Sequence, residues 1–160
     1  MKKLVSLLLA VAMLLTCTAA LADAVTLTYA EVNPLEGTIV GELAKAFKTK
    51  LEELSEGSIL VDLQGGGVMG DEKTVLANIL GGDTSVDIVR ISAFALNQYG
   101  AEKSVFLTLL FVFESEEHYW NFTKSDLAKE MLAEAKEVGQ PWTGLAYGEE
   151  GFRHFFSKVN

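Results

Sequence analysis

Residues 59–76, ILVDLQGGGVMGDEKTVL, join a β-like run to a helix-like run through a cluster of glycines. Gly65, Gly67 and Gly70 satisfy G-x-G-x-x-G, the spacing that cradles a dinucleotide pyrophosphate between a strand and a helix. Three features break that reading. A pyrophosphate docks on free N–H groups at a helix N-terminus, yet Asp71 is placed to cap those donors and Glu72 adds a second negative charge. The ribose-binding acid belongs about 20 residues on, at the C-terminal end of a strand, whereas Asp87 opens its strand. This is also the second strand–helix unit, and the fingerprint normally opens the fold. The glycines therefore read as a turn that lets the chain leave a sheet and enter a capped helix. No nucleotide is expected.

Outward from this junction, strands and helices alternate. VTLTYAEV (25–32) reads as a strand and NPLEG as a turn. From Thr38 onward, Ile39, Val40, Leu43, Ala44, Phe47, Leu51 and Leu54 recur at steps of three and four, one apolar helix face. Gly57 suits the left-handed position that ends this helix. ILVDL (59–63) is the second strand, residues 72–80 the second helix, and VDIVRIS (86–92) the third strand. SVFLTLLFVF (104–113) reads as a buried, partly extended run. Ser115 and Ser125 are placed to cap helices over EEHYWNFTK and DLAKEMLAEAKEV. WTGLAYGEE and FRHFFSKV look extended. The alternation predicts an α/β fold with a mostly parallel sheet flanked by helices.

Composition sets the class. The chain has 160 residues, 49% of them apolar, and a formal net charge of −9, which fits a globular protein and argues against nucleic acid as a partner. Residues 1–22 differ from the rest: Lys2 and Lys3, an apolar run LVSLLLAVAMLL, then small residues at Ala20 and Ala22. This is the pattern of an export signal cleaved after Ala22, leaving residues 23–160, enough for one core and not comfortably two. The apolar run is shorter than the roughly 20 residues a membrane span needs. Cys17, the only cysteine, reads either as a small signal residue lost on cleavage or as a lipid-anchored cysteine; Thr16 stands where a lipoprotein signal wants a smaller residue.

The order of these pieces is specific. A leader, LTYAEVNP, a helix running into EELSEGSILVDL, GVMGDEKTVLANILGGDTSVDIVRIS, VFLTLLFVFESEEHYWNF and GLAYGEEGFRHFFSKVN together resemble the DctP-type solute-binding proteins of TRAP transporters. The resemblance implies one lobe of a two-lobed periplasmic-binding-protein-like fold. It also implies a small organic-acid ligand, a C4-dicarboxylate or sugar acid, enclosed by lobe closure and delivered to TRAP permease membrane subunits. It places Arg153, in a G-x-R context, at a position that grips the ligand carboxylate, a task the guanidinium fork suits. Glu72 matches a polar position at the cleft; its other reading is a first-turn acid that favours the helix dipole. Asn33 and Ser92 match loop positions that touch ligand hydroxyls, or else serve turns and caps. Arg90 either reaches the cleft or balances nearby acids. Relatives are about twice as long, so this chain resembles an N-terminal half, and weak binding or none is expected of it alone. Leu110 stands where relatives commonly carry proline, and QGGG replaces a proline-containing turn.

Catalytic patterns are missing from the sequence. His118 and His154 are the only histidines, with no zinc-binding spacing and no G-x-S-x-G elbow. Glu149 and Glu150 are adjacent, so in an extended segment they face opposite ways. The expectation is an extracytoplasmic binding protein with no cofactor, metal or catalysis. The competing reading is an exported structural or protein-interaction α/β domain without a small ligand.

Overall fold

A computed structural model describes residues 24–151 and residue 158. The leader, Cys17, Arg153 and His154 lie outside the described residues. In chain order the elements are β1 (Val25–Ala30), α1 (Ile39–Leu54), β2 (Ile59–Gln64), α2 (Glu72–Leu80) and β3 (Ile88–Val89). They are followed by α3 (Ala93–Leu96), 3-10 turns at Asn97–Tyr99 and Glu102–Thr108, α4 (Glu116–Thr123) and α5 (Asp126–Glu137). The strands form a parallel sheet in the order β2-β1-β3. Both connections between strands carry a helix, as parallel pairing requires.

Most helix boundaries follow from their caps. The side chains of Thr38, Asp71, Ser115 and Ser125 each accept a hydrogen bond from an N–H of the first turn of the helix they precede. α1 ends as expected, with Gly57 at φ 78° and its N–H donating to the Glu52 carbonyl. The core lies between α1 and the sheet: Tyr29, Ala44 and Val61 are buried, and Leu35, Phe47, Leu51, Leu63 and Ile88 pack around them. The buried stripe of α1 is narrower than the sequence predicts. Ile39, Leu43 and Leu54 stay exposed, and two polar residues take part of the contact. Lys48 donates to the Val61 carbonyl, and Glu52 accepts from the Val61 N–H at 2.9 Å. β2 is an edge strand, and α1 thus satisfies peptide groups that an edge leaves open.

Gly41 is where helix and loop approach most closely. A Cβ there would lie 2.2 Å from the Leu35 carbonyl oxygen.

Three expectations are corrected. The third strand shrinks from seven residues to Ile88–Val89. Asp87 joins β1 through its side chain, its Oδ2 accepting from the Thr28 N–H at 2.8 Å while its own N–H donates to the Thr28 carbonyl. After Arg90 the chain turns to Ser92, which starts α3. The run 104–113 is neither extended nor buried: most of its first half is 3-10 turn, Leu110 is 71% exposed and Phe111 93% exposed. With a third strand only two residues long, the sheet offers this run no matching ladder. Finally, residues 142–150 form no strand. They are tethered instead by side chains, Tyr119 Oη donating to the Gly148 carbonyl and Tyr147 Oη to the Ala128 carbonyl. Tyr119 and Phe122 of α4 pack on Phe113, Phe122 also on Tyr147, and Trp120 on Tyr119.

Among the described residues, no helix is long and apolar enough to cross a membrane.

Candidate functional site

The C-terminal ends of β1 and β3 and the N-terminus of α2 meet at one edge of the sheet. In open α/β sheets this is the edge where ligands bind. The register puts Ala30 beside Val89, so the next residues of the two strands, Glu31 and Arg90, come side by side. Arg90 Nε donates to Glu31 Oε2 at 2.8 Å and its NH2 to Glu31 Oε1 at 3.0 Å. The Glu31 side chain is fully buried and that of Arg90 is 15% exposed.

Four of the five candidates from the sequence converge here. Asn33 donates to Glu31 Oε1 from its backbone N–H at 2.8 Å and from its side-chain amide at 2.9 Å. Ser92 donates to Glu72 from its N–H at 2.8 Å and from its hydroxyl at 2.7 Å. Glu72 is thereby tied to the end of β3 rather than only to its own helix. The NH1 group of Arg90 lies 3.7 Å from Glu72 Oε1 and 3.5 Å from Glu150 Oε1. Arg153 lies outside the described residues.

Sequence reasoning passed over Glu31, the acid at the centre of this arrangement. It lies one residue past the end of β1 and carries no pattern of its own; its role becomes readable only when register sets it beside Arg90. Burial pushes the Glu31 carboxyl up, but hydrogen bonds from Arg90 and Asn33 outweigh burial and hold it below the usual glutamate range. Arg90 shows the converse: burial lowers its pKa, and the Glu31 hydrogen bond and charge more than offset that. The Tyr29 hydroxyl beneath them is raised by burial first and by the Glu31 charge second.

The glycine loop closes the floor of this edge. The Gly66 N–H donates to the Asn33 carbonyl at 2.8 Å, the Gly67 N–H to the Glu31 carbonyl at 3.1 Å and the Gly70 N–H to the Gly67 carbonyl at 2.9 Å. These donors, which a phosphate would need, already serve the turn, with Gly66 and Gly67 at φ 71° and 72°. Beside the site, Ile39, Leu43, Ala46, Glu116, Trp120 and Glu149 line a cavity of about 420 Å³. Glu149 lines this cavity, and Glu150 lies 3.5 Å from Arg90. His118 is exposed and edge-on to Phe113 at 5.6 Å. Among the described residues no cluster of histidine, cysteine and carboxylate side chains could hold a metal ion.

The fold is shared with known proteins. A TRAP periplasmic solute-binding protein from Pseudomonas putida, solved with bound D-glucuronate, superposes with a TM-score of 0.62 at 25% identity, covering 72% of this chain and 37% of that one. Another from Bradyrhizobium sp., in complex with α/β-D-galacturonate, gives 0.63 at 28% identity, covering 71% and 37%. One from Polaromonas sp., bound to D-erythronate, gives 0.63 at 17% identity and shows the fold alone, covering 72% and 37%. The chain thus spans little more than a third of the length of these structures. No relative matches among the curated proteins. The description of the DctP family, bacterial extracellular solute-binding proteins of family 7, fits residues 29–160. With that match and an α/β parallel-sheet lobe of the same architecture, the chain belongs to the DctP family of solute-binding proteins.

Proposed function

We propose that this lobe contributes one wall of a periplasmic site that captures a sugar acid for delivery to TRAP permease membrane subunits. The observation that carries the proposal is the convergence of Asn33, Glu72, Arg90 and Ser92 at the crevice edge of the sheet. Bound glucuronate and galacturonate in two of the similar structures support a polyhydroxylated acid over a plain C4-dicarboxylate. Arg153 is assigned the ligand carboxylate, because its planar fork pairs with two carboxylate oxygens. Glu72, Ser92 and Asn33 are assigned its hydroxyls. Binding, not catalysis, is the role. Residues 1–22 serve as the export signal in this reading.

NMR titration of the 160-residue chain with D-glucuronate, D-galacturonate, D-erythronate and succinate tests it. The convergence of these side chains favours weak binding over none, with sugar acids ahead of succinate and shifts at the Asn33, Glu72 and Ser92 amides. Silence towards all four overturns the reading, and submicromolar binding overturns the expected weakness.

One observation favours the competing role of a protein-interaction domain: Leu110 and Phe111 stand exposed together with Leu109. Concentration-dependent association abolished by Leu110→Ser, without any ligand response, would establish it instead.

A further inference from the structure

The acid at the centre of the site is not itself at the surface, and it has already claimed the arginine that a ligand carboxylate would seek. Two parallel N–H groups are what make a guanidinium a carboxylate clamp. In Arg90, the Nε and NH2 edge is spent on Glu31. The other two-donor edge is Nη1 with the second N–H of Nη2, and its Nη1 already lies 3.7 Å from Glu72 Oε1 and 3.5 Å from Glu150 Oε1. Three carboxylates surround one guanidinium, a formal surplus of two negative charges. A ligand carboxylate approaching this edge meets like charge, which is costly where water is partly excluded. Hydroxyl or amino groups, which donate hydrogen bonds, meet acceptors.

We propose that Glu31 is the positioning residue of the site: it withholds Arg90 from the ligand's acid group and makes Arg90 the anchor that holds Glu72 and Glu150 ready for ligand hydroxyls. This rests on the reading above that the crevice edge is the ligand wall. It sharpens that reading by assigning an orientation, polyol end on the Arg90 cluster and carboxylate end away from it. It also divides the substrate class, favouring acids that carry adjacent hydroxyls over acids that carry a second carboxylate.

Asn33 belongs to the same device. Its two donors load Glu31 Oε1, fixing the carboxylate in the plane that meets the Arg90 fork. Ser92 does the same for Glu72.

The Arg90 Nε–H resonance of the 160-residue chain reads this directly. In the native chain it should stay unmoved by sodium succinate at constant ionic strength. In E31Q, where the amide accepts from one side only, it should shift with succinate. E31D, which keeps the charge, should restore the silence. A purely structural Glu31 predicts the same indifference to succinate in native and E31Q chains, and that result overturns the proposal. Should E31Q fail to fold, the native chain still decides: an Arg90 Nε–H that follows succinate shows the guanidinium open to carboxylates and overturns it as well. A second arm titrates sodium D-glucuronate into the native and E72Q chains. Loss of one charged acceptor should weaken glucuronate about tenfold or more and leave succinate unchanged. Equal weakening of both overturns the assigned orientation. A native chain indifferent to glucuronate, with the succinate pattern in E31Q intact, would sink the ligand reading and leave Glu31's hold on Arg90 standing.

Discussion

In residues 24–92, two long ladder strands meet one helical stripe, and Tyr29, Ala44 and Val61 are buried between them. In residues 93–151, short helices and 3-10 turns stack through small side chains such as Ala101, Ala128 and Ala135, while Leu109, Leu110 and Phe111 face outward. Apolar content does not separate the two regions. What differs is whether a partner surface of matching shape exists. A regular sheet offers every second side chain of a strand a place to go. A connection with no ladder to join has no such periodic surface, so its apolar residues stay exposed. The crevice site belongs mainly to the first region, which supplies Glu31, Asn33, Glu72, Arg90 and, as its last residue, Ser92; from the second it receives Glu150.

Substitutions can break this contrast, beginning with the strongest. Glu31→Ala strands the partly buried Arg90 charge and should cost about 3–5 kcal/mol, read as a lower urea midpoint. The same carboxyl carries a pH signature. Its folded pKa lies below the unfolded one, so its stabilisation is complete above the usual glutamate range and is lost as pH falls through the folded value. Arg90 and Asn33 hold it directly, its charge is felt by the Tyr29 hydroxyl, and Glu72 and Glu150 lie on the far side of the Arg90 guanidinium. Acid unfolding of the native chain compared with Glu31→Gln should show that component vanish; parallel curves would refute it.

Next comes Gly41→Ala. In a helix interior, glycine to alanine ordinarily adds about 1 kcal/mol of stability. Here the new Cβ would meet the Leu35 backbone, so a loss of about 1–3 kcal/mol is expected from overpacking. Thermal denaturation gives the sign.

Phe111 inverts the pattern. It holds φ 58° while almost fully exposed, a left-handed conformation that costs a residue with a Cβ roughly 1–2 kcal/mol. Phe111→Gly should therefore stabilise, by about 1 kcal/mol at most. Smallest of all, Leu110→Ser should change stability by less than about 0.5 kcal/mol, as exposed positions do. A large loss at Leu110 would mean that the second region has a packed face like the first.

Legibility followed the same divide. The caps at Asp71, Ser115 and Ser125 were readable because a side-chain oxygen and the N–H it serves lie within one turn. The stretch 104–113 was misread because an apolar run reports only a wish for burial, not whether a surface is available. Asn33, Glu72 and Ser92 were named from their places in a family-like order, and Arg90 from its place towards the C-terminal end of a strand. Glu31, between Ala30 and Val32, offered no pattern of its own and was missed.

By itself the sequence determined the α/β alternation, the helix starts, the glycine turn in place of a phosphate cradle, and the family to which the chain belongs. These rest on contacts between residues near one another along the chain, or on their order. Only tertiary structure decided the strand register, and with it the meeting of Glu31 and Arg90 from strands far apart in sequence. That meeting turns an arginine that could have gripped an acid into one that is already held. A pairing across a sheet depends on where two strands come to lie, and no local pattern of residues encodes that position.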